Sequence, residues 1–271
     1  MTQSSSEYLA AQERLRTLEE LIPLDEFLEF SDFEKYPLTA VELETMHSER
    51  FQNAAFRLGQ IGVIIPYRME KEDVYRFSMA FLALLTTDEP YKSIYDSTCA
   101  ITKEEYEEEV CDVLFEYLYS KSDSWYFRDM RNKVLDDIQY DDLLMDRLSQ
   151  AFLAYDQELF FPCACSLMAL LEGVLGNYAS SGSTKLYELT NILSSDKQVL
   201  FPVASANLKG FISELAKSAH FVKDSEPIRL NRHWLLHGRS RKTIGKIDCI
   251  RLLCAFQLII ELLSSSPNTE V

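Results

Sequence analysis

The chain has 271 residues, of which 47% are apolar, so one large domain or two ordinary ones can each form a core. A formal charge of −16 argues against nucleic-acid binding over the whole surface, and eight glycines with eight prolines, about half the usual joint share, argue against many short strands. The longest apolar stretches, "FSMAFLALL" and "CIRLLCAFQLIIELL", fall short of the roughly 20 residues of a membrane span or are broken by charge, and the start "MTQSSSEYLAAQERLR" lacks a leader pattern; a soluble, cytoplasmic protein with no membrane partner is expected.

In chain order, helix signals follow one another. Ser4 and Glu7 form a capping box, Leu15, Leu18 and Ile22 repeat at helical spacing, and Pro23 ends that helix. Thr39 and Glu42 make a second box, which predicts a helix to about Leu58. "GQIGVIIPYR" has the β-branched character of a strand but is too isolated to found a sheet. A helix is expected from about Lys71 to Leu85, then a turn at "TTDEPY". Thr102 and Glu105 cap an acidic helix whose first turn suits the helix dipole.

The acidic stretch "LDDIQYDD", Leu135 to Asp142, marks the expected boundary, and the pattern is more apolar after it. Helices are expected near 143–156, 160–179, 184–194, 203–220, 226–237 and 244–264. The fold class is therefore all-α: a helical amino-terminal region over 1–140 and a helical bundle over 141–271. The six cysteines form no Cys-x-x-Cys pair and sit mostly in apolar helical context, so reduced buried thiols are expected.

Charge is unevenly spread. Between Lys103 and Asp146 there are fourteen acids and five bases; between Lys223 and Arg251 there are eight bases and three acids. Such a basic patch attracts a polyanion to one spot, or else neutralises the acidic segment. Its centre, "LNRHWLLHGRSRK", holds two of the four histidines. Ser225 is the expected cap of a helix whose first turn carries Glu226 and Pro227, and Gly238 can end it in the left-handed conformation. On one helix from Glu226 to His237, Arg232 and His237 lie about 140° apart at 3.6 residues per turn; they do not stack, and both are expected to border a single pocket.

That pair suits RNA phosphodiester cleavage. Imidazole titrates near neutrality and can take the 2′-hydroxyl proton, while guanidinium offers a planar fork to the non-bridging phosphate oxygens. No metal or other cofactor is required. One histidine cannot easily serve as base and acid together, so a symmetric second copy is expected to supply the missing role. Glu172 stands within a nearly all-apolar helix, where a carboxylate is costly unless paired, and Arg232 is its expected partner. Gly173 and Gly176 beside it are expected to admit another helix closely.

An "LLEGVL" helix followed by "NRHWLLHG" resembles the HEPN domain, over roughly residues 143–264. The family pattern is Arg, a polar residue, then His after four to six positions; Arg232, His233 and His237 match it. The resemblance implies a dimeric, metal-independent endoribonuclease forming 2′,3′-cyclic phosphate ends, in a toxin or phage-defence role. Arg232 and His237 would be the catalytic pair, oriented by Glu172, with RNA as substrate and a protein antitoxin or regulator as a further partner. His233, Arg239, Arg241 and Lys242 are the expected substrate-binding residues. Many members are inactive scaffolds or nucleotide binders, which is the alternative reading here.

Other chemistries fit less well. His233 and His237 have the i, i+4 spacing of zinc ligands, but Trp234 stands where a zincin needs Glu. Gly-rich phosphate loops and a serine-hydrolase elbow are absent from the sequence.

Overall fold

The computed structural model describes residues 48–64, 98–109 except 104, 142–178 and 201–264 except 219, 222 and 228, together with Ser93 and Asp96. The helices expected in 1–22, 71–85 and 184–194, and most of the boundary stretch, lie outside these residues. The described part is helical: α1 (Glu49–Gln60), α2 (Asp142–Asp156), α3 (Phe160–Tyr178), α4 (Phe201–Leu215), α5 (Arg232–Leu236) and α6 (Lys246–Ser264). No strand occurs among the described residues, and no helix among them is long and apolar enough to cross a membrane.

Local chemistry accounts for the ends. Ser48 opens α1: its backbone is extended (φ −64°, ψ 146°) and its hydroxyl accepts from the Phe51 N–H at 3.3 Å. α1 thus opens at Ser48, within the span expected from Thr39 to Leu58; Thr39 and Glu42 lie outside the described residues. Phe51, Ala54, Ala55 and Leu58 form its buried stripe. Of the strand-like segment 59–68, residues 59–64 are described, and they form a helix terminus. The N–H groups of Ile61, Gly62 and Val63 return to the carbonyls of Arg57, Gly59 and Leu58, and Gly62 takes φ +91°. The Thr102–Glu105 box is present: the Glu105 carboxylate accepts from the Thr102 N–H at 2.8 Å, and the Thr102 hydroxyl accepts from the Glu105 N–H at 3.2 Å.

The core gathers around α6, whose residues from Cys249 to Ile260 are buried on nearly every side. Leu148, Ala151, Phe152 and Tyr155 of α2 pack into it, with Cys163, Leu167, Leu171 and Val174 of α3 and Leu208, Ile212 and Leu215 of α4. Cys163, Cys249 and Cys254 are buried free thiols, as expected; Cys165 is half-buried and Cys99 exposed. Burial pushes the Cys254 thiol up to about 12, so it stays protonated.

α1 makes its most extensive contact with α4, across the expected boundary. The two backbones touch. A Cβ on Gly59 would fall on the Asn207 carbonyl, and one on Gly210 would fall on the Phe56 carbonyl. Fully buried Asn207 locks the crossing, donating to the carbonyls of Ala55 at 3.0 Å and Val63 at 2.9 Å. The close approach expected at Gly173 is not made there: a Cβ on Gly173 would meet nothing within 4 Å. Glycine spacing marks where approach is permitted, and the docking of α1 on α4 uses the other permitted place.

Candidate functional site

The segment carrying the two histidines is not one helix from Glu226 to His237. α5 spans only Arg232–Leu236, and Asn231, not Ser225, is its cap. The physical reason lies in two side chains. Glu226 is held across the loop, accepting from the Ser240 hydroxyl at 2.5 Å and the Arg241 N–H at 2.9 Å, so it is unavailable to a first turn. Asn231 offers its side-chain oxygen to the N–H groups of His233 (3.0 Å) and Trp234 (3.4 Å), while its amide donates to the carbonyls of Lys217 (3.0 Å) and Glu214 (3.5 Å). One buried side chain thus starts α5 and closes the end of α4. Asn231→Ala removes both functions: the N–H groups that start α5 lose their acceptor and the Lys217 carbonyl loses its amide donor. It is expected to cost about 2 kcal/mol, seen as a melting temperature lower by about 4–8 °C. Asn231→Asp, which keeps the acceptors and loses the amide donors, should fall between the two.

Gly238 ends the segment as expected, at φ +61°. His237 is the C-cap of α5, its N–H returning to the His233 carbonyl, and its side chain is exposed. The His237 and His233 rings stack at 5.7 Å with 16° between planes, as i, i+4 placement allows. Phe221 meets both edge-on, at 5.5 Å from His237 and 6.4 Å from His233, and Trp234 at 5.3 Å. The Arg239 guanidinium lies 4.6 Å above the same Phe221 ring. Phe221, not singled out in the sequence, is therefore the hub of the cluster. Nothing short of the three-dimensional placement signals it, since it lies in an irregular loop.

Arg232 and Glu172 pair as expected. Arg232 Nε faces Glu172 Oε1 and Nη2 donates to Oε2 at 3.2 Å. The pair is partly open to solvent, with side chains 35% and 24% exposed. A guanidinium has five N–H groups, so this fork leaves three for another acceptor. The stacked rings make a poor chelate, because parallel faces do not aim two nitrogens at one point. Among the described residues no three His, Cys, Asp or Glu side chains converge as a metal site.

The four expected substrate-binding residues separate. His233 and Arg239 join the Phe221 cluster. Arg239 and Arg241 border a groove of about 600 Å³ with Phe221, Trp234, Gly238 and the acids Asp224 and Glu226; neither Arg232 nor His237 lines it, so it is not the single pocket expected for that pair. Lys242 turns into a different cavity, where its ammonium contacts the Pro227 carbonyl. Part of the basic segment neutralises the acidic one within the chain: Arg229 lies 3.2 Å from Glu108 and 3.6 Å from Glu107, which also pairs with Arg57 at 2.9 Å.

Burial, then the charges of Arg232 and His237, hold the His233 imidazole below the usual histidine range. The unfolded chain therefore takes up this proton first. Stability from His233 is complete above the unfolded value of about 6.5 and is lost as pH falls through the folded value. The melting temperature of the wild type should drop between about pH 7 and pH 5 by more than that of His233→Gln, measured in parallel scans.

Comparison with protein families, curated proteins and solved structures finds no match to this chain.

Proposed function

We propose that this chain is a metal-independent endoribonuclease, its residues 141–271 forming a HEPN-like bundle that works as a homodimer in the cytoplasm, in a toxin or defence role. The observation that carries this reading is the short helix α5. It carries a guanidinium braced by a carboxylate and, at its end, an exposed imidazole stacked on a second imidazole, and the groove that Trp234, Gly238, Arg239 and Arg241 line lies next to it without including Arg232 or His237.

In this reading the His237 imidazole takes the proton of a ribose 2′-hydroxyl. The 2′-oxygen bonds to phosphorus as the bond to the 5′-oxygen breaks, and the departing oxygen takes a proton from His237 of a second copy. The N–H groups of Arg232 not used by Glu172 donate to the non-bridging oxygens as charge grows on them. Glu172 is a positioning residue: it limits the rotamers of a long side chain and aims it. His233, Arg239 and Arg241 hold the flanking strand, and the aromatic edge at Phe221 supports His237. The 2′,3′-cyclic phosphate is the product.

A second reading, a non-catalytic module that binds a protein partner or nucleotide, is favoured by one observation. Arg232 and Arg229 both brace carboxylates within the chain, as structural cations do. Incubation of single-stranded RNA with the wild-type protein in EDTA separates the two. Cleavage without added metal supports the nuclease, intact RNA supports the module, and cleavage only after a divalent ion is restored contradicts the metal-independent reaction.

A further inference from the structure

A second cavity, of about 170 Å³, lies between the loop 226–231, the loop 240–244 and the start of α6. None of Arg232, His233 or His237 lines it. Trp234, 8% exposed, and the cations Arg229, Lys242 and Arg251 do. Its hydrogen-bonding inventory is lopsided. The carboxylates on the wall are engaged: Glu226 accepts from Ser240 and Arg241, Asp248 accepts from the Gly245 N–H at 3.0 Å, and Glu108 is ion-paired with Arg229 at 3.2 Å. Two buried donors stand open beside them. Trp234 Nε1 and Arg229 Nε are buried with no hydrogen-bond partner among the described residues. Indole and guanidinium nitrogens only donate, so whatever satisfies them must accept.

We propose that this cavity is a binding site for a small oxyanion of the phosphate class, held by the indole N–H of Trp234 and the Arg229 guanidinium beside Lys242. A tetrahedral anion presents acceptors in several directions and suits donors from different walls. Glu108, Glu226 and Asp248 offset the three cations one for one, so affinity rests on directed hydrogen bonds more than on net field. The site does not depend on the ribonuclease reading, since it uses none of that reading's reacting groups.

Calorimetric titration of the full chain with inorganic phosphate, at constant ionic strength, tests it. Saturable binding is expected. Trp234→Phe keeps an aromatic ring and loses the donor; Arg229→Lys keeps the charge and loses the fork. Each should weaken binding about tenfold, the worth of one hydrogen bond to a charged group, whereas His237→Ala should leave the titration unchanged. If Trp234→Phe does not fold, Arg229→Lys decides alone. Adenosine monophosphate as a second titrant distinguishes sources: binding as tight as phosphate assigns the anion to a nucleotide, and weaker binding assigns it to the free ion, the site standing in both cases. No saturable heat with wild type, binding unaltered by both variants, or binding lost in His237→Ala would overturn the proposal.

Discussion

If the chain is the proposed ribonuclease, His237→Ala should lower the rate of RNA cleavage by about 10²–10⁴-fold, the span of one well-placed general acid or base. The melting temperature should hardly move. His237 is exposed, and substitutions at such positions change stability by about 0.5 kcal/mol or less, or about 2 °C. This contrast between a large kinetic and a small thermal effect separates chemistry from bracing. Arg232→Ala should cost about 10²–10³-fold, the scale of one lost oxyanion donor. Arg232→Lys should rescue little, because an ammonium cannot grip Glu172 with two parallel bonds and still face a phosphate. Glu172→Gln keeps the shape of the brace and removes its charge, and should lower kcat more than it raises KM. Single-turnover cleavage assays with thermal melts on the same preparations provide the measurement. A histidine variant that cleaves RNA as fast as wild type would remove His237 from the reaction.

Gly59→Ala should be the most destabilising of the single-methyl additions. The new Cβ would fall on the Asn207 carbonyl and lie 2.7 Å from the Phe211 nitrogen, and both obstacles are backbone. A flexible side chain could rotate away; a helix cannot. α1 and α4 must separate, which also stretches the bonds from Asn207 to Ala55 and Val63. Overpacking of this kind costs about 3 kcal/mol or more, lowering the melting temperature by about 6–12 °C. Gly210→Ala should behave alike, since its Cβ would fall on the Phe56 carbonyl. Gly173→Ala is the control: its Cβ enters open space and alanine favours the helix, so stability should stay level or rise. Thermal unfolding of the three variants checks the crossing.

These glycines also show what a sequence conceals. α2, α3 and α6 lie within two residues of their expected limits, because long apolar periodic segments declare themselves locally. The Thr102–Glu105 box and the Gly238 terminus are equally local, and both are found as expected. The Glu172–Arg232 pair was legible for a different reason: a carboxylate in an apolar helix needs a cation as partner. The start of α5 was not. Glu226 and Pro227 look like a good first turn, but Glu226 is claimed by Ser240 and Arg241 from fourteen and fifteen residues away. Asn231, a strong cap standing directly before Arg232, was the available signal. At Gly59 and Gly210 the local signal misleads, since a glycine within a helix reads as a weakness until its long-range neighbour is known. Phe221 belongs to the same class, for its rings of contact come from a loop closing on α5.

In the proposed reaction Arg232 and His237 act together on one phosphate with the adjacent ribose hydroxyl as nucleophile. Its most direct test is the chemistry of the fragment ends after wild-type protein digests RNA in EDTA. Termini carrying 2′,3′-cyclic phosphate and 5′-hydroxyl are expected, absent with Arg232→Ala and His237→Ala. Fragments ending in 3′-hydroxyl and 5′-phosphate, or RNA that emerges whole, would contradict the proposed reaction.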